Sequence, residues 1–373
     1  MSPGDESSGK PLIHVFLGTK AQYIKTAPLL LLMQEQAIPH WLIDSGQHSD
    51  IGRQMREEFG IREPDVSLEQ RGGDVTSIPQ AIGWAGRLGG KVLDGRGLRR
   101  DVFGGHGGIC VVHGDTPSTL IAAVMARRAG LRVAHLEAGL RSGSYLHPFP
   151  EELIRVATMR LAHILYAPGP EAVDNLEKMK VKGEIVDVGA NTVEEALRAS
   201  VAGVAAAGSG PVVATMHRVE NLNQAGRVEG FVDLLERVAS SRKVVFVAHG
   251  PTLATLEKRD LFSRLDAVGV QVIPLRPHAE FTQALSAAEF VITDGGSIQE
   301  ECTLLGTPTL LWRARTERSD GLGANVVLSR YDPAVIEMFL DDPEAIRMDP
   351  RVLDATPSRV ILASLLDTVE VMG

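Results

Sequence analysis

The feature that most restricts this 373-residue chain is a rhythm of short, continuously apolar runs separated by helix-length spacers. Runs at residues 12–17, 40–44, 109–112, 132–136, 164–167 and 184–188 form a first series, and runs at 211–215, 244–247, 270–273, 290–293 and 308–312 form a second. A strand that is apolar throughout, rather than at every other position, has both faces covered, and the intervening helices supply the cover. The predicted fold class is therefore α/β, with two doubly wound, Rossmann-like domains built on parallel sheets. One hydrophobic core rarely organises so long a chain, which again favours two domains. The expected division is a flexible tail at 1–11, an N-terminal domain at 12–190 and a C-terminal domain at 191–355. A last helix at 356–373 carries apolar residues at 360, 361, 362, 365, 366, 369 and 371, and is expected to pack back on the N-terminal domain.

Charge and cysteine usage remove several function classes. Lys and Arg number 38 against 47 Asp and Glu, a formal net charge of −9, so an overall basic footprint for nucleic acid is absent. An anionic ligand must be gripped locally. No apolar run approaches the roughly 18 residues of a membrane span, and the polar, acidic first ten residues lack the apolar stretch of a signal peptide. Cys110 and Cys302 sit in apolar surroundings and read as buried free thiols of a reducing compartment. The expected location is the cytoplasm, without a membrane or nucleic-acid partner.

In parallel α/β sheets ligands lie beyond the carboxyl ends of the strands, where loops enter helix N-termini with free N–H groups. Seven runs are followed by polar clusters at that position: Gly18-Thr-Lys20, Ser45-Gly-Gln47-His48, His113-Gly-Asp115-Thr116, Glu137-Ala-Gly-Leu-Arg141, His217-Arg218, His249-Gly250 and Asp294-Gly295-Gly296-Ser297 leading to Glu301. The glycines at 295 and 296 let backbone approach a diphosphate at the start of a helix. Glu301, about a turn further on, could accept both hydroxyls of a ribose. Read blandly, the same residues are a turn, an N-cap and a solvated glutamate. Lys20, Lys25 and His217-Arg218 offer positive charge for phosphate, although Lys25 also reads as a solvated helix residue. Asp115, Glu137 and Glu151 are candidates for proton transfer at carbon, with Arg141 and Arg155 close in sequence. Any one of the three serves equally well as a cap, Asp115 before Thr116 and Glu151 at a helix start. His14, His40, His106 and His163 lie without partners and read as structural or exposed. His113 and Asp115 with His135 have metal-like spacing, but strand alternation accounts for it, and neither a metal nor another cofactor is expected.

Taken in order, a longer set of motifs becomes specific. Gly18-Thr19, Ile24-Lys25 with Ala27-Pro28-Leu29, Gly46-Gln47-His48, His113 to Thr116, His135 to Arg141, Pro148 to Glu152 with Arg155, Asn191 to Val193, His217-Arg218 with Glu220-Asn221, Ile298 to Glu301 and Arg315 to Arg318 resemble the UDP-N-acetylglucosamine 2-epimerase family, from about residue 12 to 330. The resemblance implies a GT-B-like fold with a ligand cleft between two domains, the C-terminal one binding nucleotide, and a homodimer with a UDP-sugar as partner. It also implies a reaction in two halves: anti elimination of UDP to a 2-acetamidoglucal, then re-addition of UDP, or attack by water, to give the 2-epimer. By matching motifs, Asp115, Glu137 and Glu151 form the proton-transfer set, with His217 near the diphosphate. Gly296, Ser297 and Glu301 hold UDP, with Glu301 on the ribose, and Arg141 and Arg155 line the sugar pocket. Lys20, Lys25, Gln47, His48, His249, Gly295 and Arg318 complete the substrate- and nucleotide-binding set.

The chain departs from the family pattern at several of these points. Gly18-Thr-Lys-Ala-Gln22 stands where the family usually reads Gly-Thr-Arg-Pro-Glu, so a forked guanidinium becomes a point charge and a carboxylate becomes neutral Gln22. Ile154 replaces an asparagine, Val219 replaces an arginine, and Gly295-Gly-Ser297 replaces Ser-Gly-Gly. These changes remove basic and polar contacts at ligand-facing positions. They keep two other expectations open: a glycosyltransferase or nucleotide-sugar hydrolase on the same fold, and a catalytically silent sugar-nucleotide binder.

Overall fold

A computed structural model describes residues 12–47, 49–68, 83, 86, 94–141, 150–201, 207–316, 318–350 and 356–372. His48, much of 69–93 and the 142–149 stretch that carries part of the Pro148 motif lie outside the described residues, as does the 1–11 tail. The chain divides into two compact units, one comprising Met1–Ala196 with Asp354–Gly373 and the other Leu197–Leu353.

In the first unit the order is β1 (Leu12–Leu17), α1 (Lys20–Glu35), β2 (His40–Asp44), α2 (Ser49–Phe59), β3 (Val66–Ser67), α3 (Gly95–Asp101), β4 (Gly108–His113), α4 (Pro117–Arg128), β5 (Arg132–Leu136), α5 (Glu151–Leu161), β6 (Ile164–Ala167), α6 (Pro170–Lys178), β7 (Glu184–Asp187) and α7 (Thr192–Val201). All strand pairs are parallel, in the order β3-β2-β1-β4-β5-β6-β7. The continuous apolar runs have the expected cause. Along β1, Ile13, Val15 and Leu17 enter one core and Phe16 the other; along β4, Ile109 and Val111 separate from Cys110 and Val112 in the same way. The division between units falls inside α7, after Ala196.

The second unit continues with β8 (Val212–Met216), α8 (Val219–Asn223), α9 (Arg227–Ala239), β9 (Val244–Ala248), α10 (Gly250–Lys258), α11 (Phe262–Ala267), β10 (Gln271–Pro274), α12 (His278–Ala287), β11 (Val291–Thr293), α13 (Gly296–Leu305), β12 (Thr309–Leu311), β13 (Val326–Leu328) and α14 (Pro333–Asp341). Its sheet, ordered β10-β9-β8-β11-β12-β13, is again parallel throughout, and Val213 and Val291 face one core while Val212, Ala214 and Ile292 face the other. In both sheets the strand order reverses beside the first strand, between β1 and β4 and between β8 and β11, the switch point at which such sheets bind ligands.

The last helix, α15 (Pro357–Met372), belongs to the first unit. Its Ile361, Leu362 and Leu365 are buried with Ile13, Val15 and Leu30, and the Tyr166 hydroxyl donates to Ser364 Oγ at 3.0 Å. Among the described residues no helix is long and apolar enough to cross a membrane. Cys110 and Cys302 are both buried and unpaired, and burial holds both thiols above their ordinary pKa, Cys302 at about 12.

Candidate functional site

Parallel register decides what meets at the carboxyl edge of the first sheet. His113 on β4 pairs with Leu136 on β5, so the turn carrying Asp115 and the turn carrying Glu137 emerge side by side. Gly114 makes the first turn with φ +72°, and Glu137 makes the second with φ +60°. A non-glycine residue seldom adopts that conformation, and when one does the surroundings must hold it there. They do so here: Lys25 forms an ion pair with Glu137 Oε1, and Asn191 Nδ2 donates to the same oxygen at 2.7 Å. Glu137 Oε2 faces His113 Nδ1 at 3.9 Å. Lys25 is thus a buried member of the cluster rather than a solvated helix residue.

A second group of charges surrounds Asp115. Arg155 pairs with Asp115 through Nη2 and donates through Nη1 to Glu152 Oε2 at 2.8 Å, while Arg141 pairs with Glu152 Oε1. Glu152 is fully buried, so both of its oxygens are matched by guanidinium groups, the condition under which a buried carboxylate is tolerated. Thr116, not Asp115, is the N-cap of α4, and its side chain accepts from the Thr119 N–H. Glu151 opens α5, and its Oε2 is buried without a hydrogen-bond partner among the described residues.

Neutral groups hold these turns in place. His135 is buried on β5 and donates from Nε2 to the Gly114 carbonyl at 2.7 Å; desolvation lowers its pKa to about 4, so it stays uncharged. Gln22 joins the turn after β1 to the turn after β4. Its Oε1 accepts from the N–H groups of Gly18 (2.8 Å) and Thr19 (3.1 Å), and its Nε2 donates toward the His113 carbonyl (2.9 Å) and the hydroxyls of Thr116 and Thr119. The carboxamide at 22 is therefore part of the frame rather than a wall of a sugar pocket. Lys20 opens α1, and Gln47 is buried after β2 with its N–H donating to Ser45 Oγ at 3.1 Å.

The second unit has its own cluster, built around Asp294. This fully buried carboxylate accepts from the N–H groups of His217 and Arg218, both at 3.0 Å, and from Asn221 Nδ2 at 2.9 Å. It also faces His217 Nδ1 at 3.4 Å, and the rings of His217 and His249 lie 4.9 Å apart. A side chain at Gly295 would place its Cβ 2.7 Å from His217 Cε1, so glycine there leaves the His217 ring its place. Gly295 is the N-cap of α13, where no side chain caps the free N–H groups; Gly296 and exposed Ser297 begin the helix. Glu301 is buried deeper in α13 and faces His278, while Glu300 pairs with Arg318 at 3.1 Å. Gln299 holds the 318–320 loop by donating to the carbonyls of Arg318 and Asp320.

A sequence profile of the family described as UDP-N-acetylglucosamine 2-epimerase matches residues 32–342. The chain is also 30% identical over 327 residues to the UDP-N-acetylglucosamine 2-epimerase of Bacillus subtilis, a match covering 83% of this chain and 80% of that protein. The chain belongs to the UDP-N-acetylglucosamine 2-epimerase family. It is 29% identical, over 87% of its length and 90% of the relative's, to the UDP-2,3-diacetamido-2,3-dideoxy-D-glucuronate 2-epimerase of Pseudomonas aeruginosa. The crystal structure of a UDP-GlcNAc 2-epimerase from Neisseria meningitidis, bound to UDP-GlcNAc, has the same fold: TM-score 0.78 at 24% identity, covering 96% of this chain and 100% of that one. The GT-B-like architecture of the family is thus the architecture of this chain.

Within this 2-epimerase family member, the structure brings Lys25 to Glu137, Asp115 to Arg155, and His217 to His249 and Gly295. The sequence placed Glu152, Asn191 and Asp294 in motifs but gave them no role, and His278 in none. The i, i+3 spacing of Glu152 and Arg155 on one helix was the available signal for the first of these. The others depend on contacts between distant segments, which no local pattern carries.

Proposed function

We propose that this chain is a UDP-sugar 2-epimerase that acts on UDP-N-acetylglucosamine or a closely related sugar nucleotide by eliminating and re-adding UDP across C1–C2. The observation that carries the reading is the pair of carboxylates on adjacent turns, Asp115 and Glu137, each already engaged by a cation. Epimerisation at C2 needs one carboxylate to take the C2 proton and another group to return a proton to the opposite face. Asp115, Glu137 and Glu151 form that set. As the C2–H bond breaks, the C1–O bond to the diphosphate breaks with it, leaving a C1–C2 double bond and free UDP. Re-addition of the diphosphate oxygen at C1, with protonation at C2, gives the epimer. Water adding at C1 instead would release the free sugar.

The developing negative charge on the departing UDP calls for fixed donors. His217, oriented by Asp294, and the N–H groups of Gly296 and Ser297 at the start of α13 take this role, with Gly295, whose own N–H donates to Thr293 Oγ1 at 3.0 Å, leaving space for the diphosphate, Glu301 on the ribose and Arg318 beside it. Arg141 and Arg155 serve the sugar, and Lys20, Lys25, Gln47, His48 and His249 complete the binding set. Lys25 keeps the Glu137 carboxylate in its strained turn. The proposed setting is the cytoplasm, where buried Cys110 and Cys302 remain thiols, and the proposed assembly is a homodimer.

The test compares turnover with nucleotide binding. Asp115→Asn and Glu137→Gln should each lower kcat by at least about a hundredfold, as loss of a general acid or base does, while the affinity for UDP measured by calorimetry stays within about threefold. Parallel loss of both quantities would remove Asp115 and Glu137 from the chemistry.

A further inference from the structure

Two neighbouring carboxylates on α13 are treated differently by the fold. Glu300 Oε2 is matched by Arg318 Nη1 at 3.1 Å. Glu301, 6% exposed, has Oε1 facing His278 Nε2 at 3.5 Å and Oε2 buried with no hydrogen-bond partner among the described residues. A buried carboxylate oxygen without a donor costs free energy, and a fold retains one where a ligand supplies the donor. His278 is itself 2% exposed, is the first residue of α12, and has the Thr282 hydroxyl within 3.5 Å of the same Nε2.

We infer that His278 is a positioning residue for nucleotide recognition: its Nε2–H holds Glu301 Oε1, and so turns Oε2 to accept hydroxyl donors of the nucleotide ribose. The inference deepens the proposed function and rests on it. The chemistry is asymmetric. The carboxylate accepts, the imidazole donates, and a vicinal diol, which donates, completes the arrangement. A ligand lacking the ribose hydroxyls would leave Glu301 Oε2 as unsatisfied as it is without ligand, so discrimination should reside in this pair.

The experiment measures binding of UDP and of 2′,3′-dideoxy-UDP to the full-length protein by calorimetry. Wild type should prefer UDP. His278→Leu should weaken UDP roughly tenfold, the loss expected when a hydrogen bond to a charged group is removed, and leave dideoxy-UDP within about twofold. His278→Gln, whose amide nitrogen reaches nearly as far as Nε2, should recover most of the UDP affinity. His278→Asn, with a shorter reach, replaces the leucine variant if that one does not fold. Equal losses for both ligands, or no loss for either, would overturn the role of His278. Failure of the wild-type protein to bind UDP at all would instead overturn the proposed function, and this inference with it.

Discussion

At the scale of single residues, most charges of the candidate site are already answered, the exceptions being the buried Oε2 atoms of Glu151 and Glu301. Glu152 shows this best, since one buried carboxylate holds Arg141 and Arg155, and Arg155 in turn holds Asp115. Glu152→Ala removes the buried carboxylate shared by two largely buried guanidinium groups and should cost about 3 kcal/mol of stability, read from denaturant unfolding. At Gly295 the constraint is spatial. Gly295→Ala sets a methyl 2.7 Å from His217 Cε1, and because the His217 side chain is 31% exposed it has room to swing away. The expected outcome is a drop in kcat of at least tenfold with a change in unfolding free energy under about 1 kcal/mol, since the strain is relieved by moving a side chain. Asp115, Glu137 and His217 stood out in the sequence as candidates because each follows a strand. Their partners were not: Asn191 reaches Glu137 across 54 positions and Asp294 reaches His217 across 77. Gln22 was legible only as a departure from the family pattern, whereas its contacts make it a bracket between two turns.

At the scale of elements, the parallel sheet of the first unit buries uncharged histidines. His14 on β1 donates from Nε2 to the Gly107 carbonyl at 3.1 Å, and burial lowers its pKa to about 4, as it does for His135 on β5. In the unfolded chain both would titrate near 6.5. Between about pH 4 and 6.5 the unfolded state therefore binds more protons, so stability is complete above that window and is lost as pH falls through it, by up to roughly 3 kcal/mol for each histidine. Unfolding free energies measured from pH 7 to 4 should show the decline, and His135→Gln should flatten it. The terminal helix offers a packing test. Leu365 is fully buried in the core that contains β1, so Leu365→Ala should cost about 3 kcal/mol and lower the unfolding transition of the first unit. Strands were legible within one residue wherever the apolar run reached four or five residues. Missing from that reading were β3 (Val66–Ser67) and β13 (Val326–Leu328), both at sheet edges. A two- or three-residue strand with one paired neighbour carries too little periodicity to be seen in sequence.

At the scale of the whole molecule, a chain with net charge −9 sets its buried cations beside carboxylates within each unit rather than spreading them over a basic surface. Lys25, Arg141 and Arg155 face Glu137, Glu152 and Asp115 in the first unit, and His217 and His249 stack in the second. In the proposed reaction Asp115, Glu137 and Glu151 break and remake the C2–H bond of a UDP-sugar. Incubation of the protein with UDP-N-acetylglucosamine in deuterated water, followed by NMR of the sugar, tests it most directly. The expected product is a 2-epimer carrying deuterium at C2; recovery of unlabelled substrate alone, or an epimer that keeps its original hydrogen at C2, would overturn this chemistry.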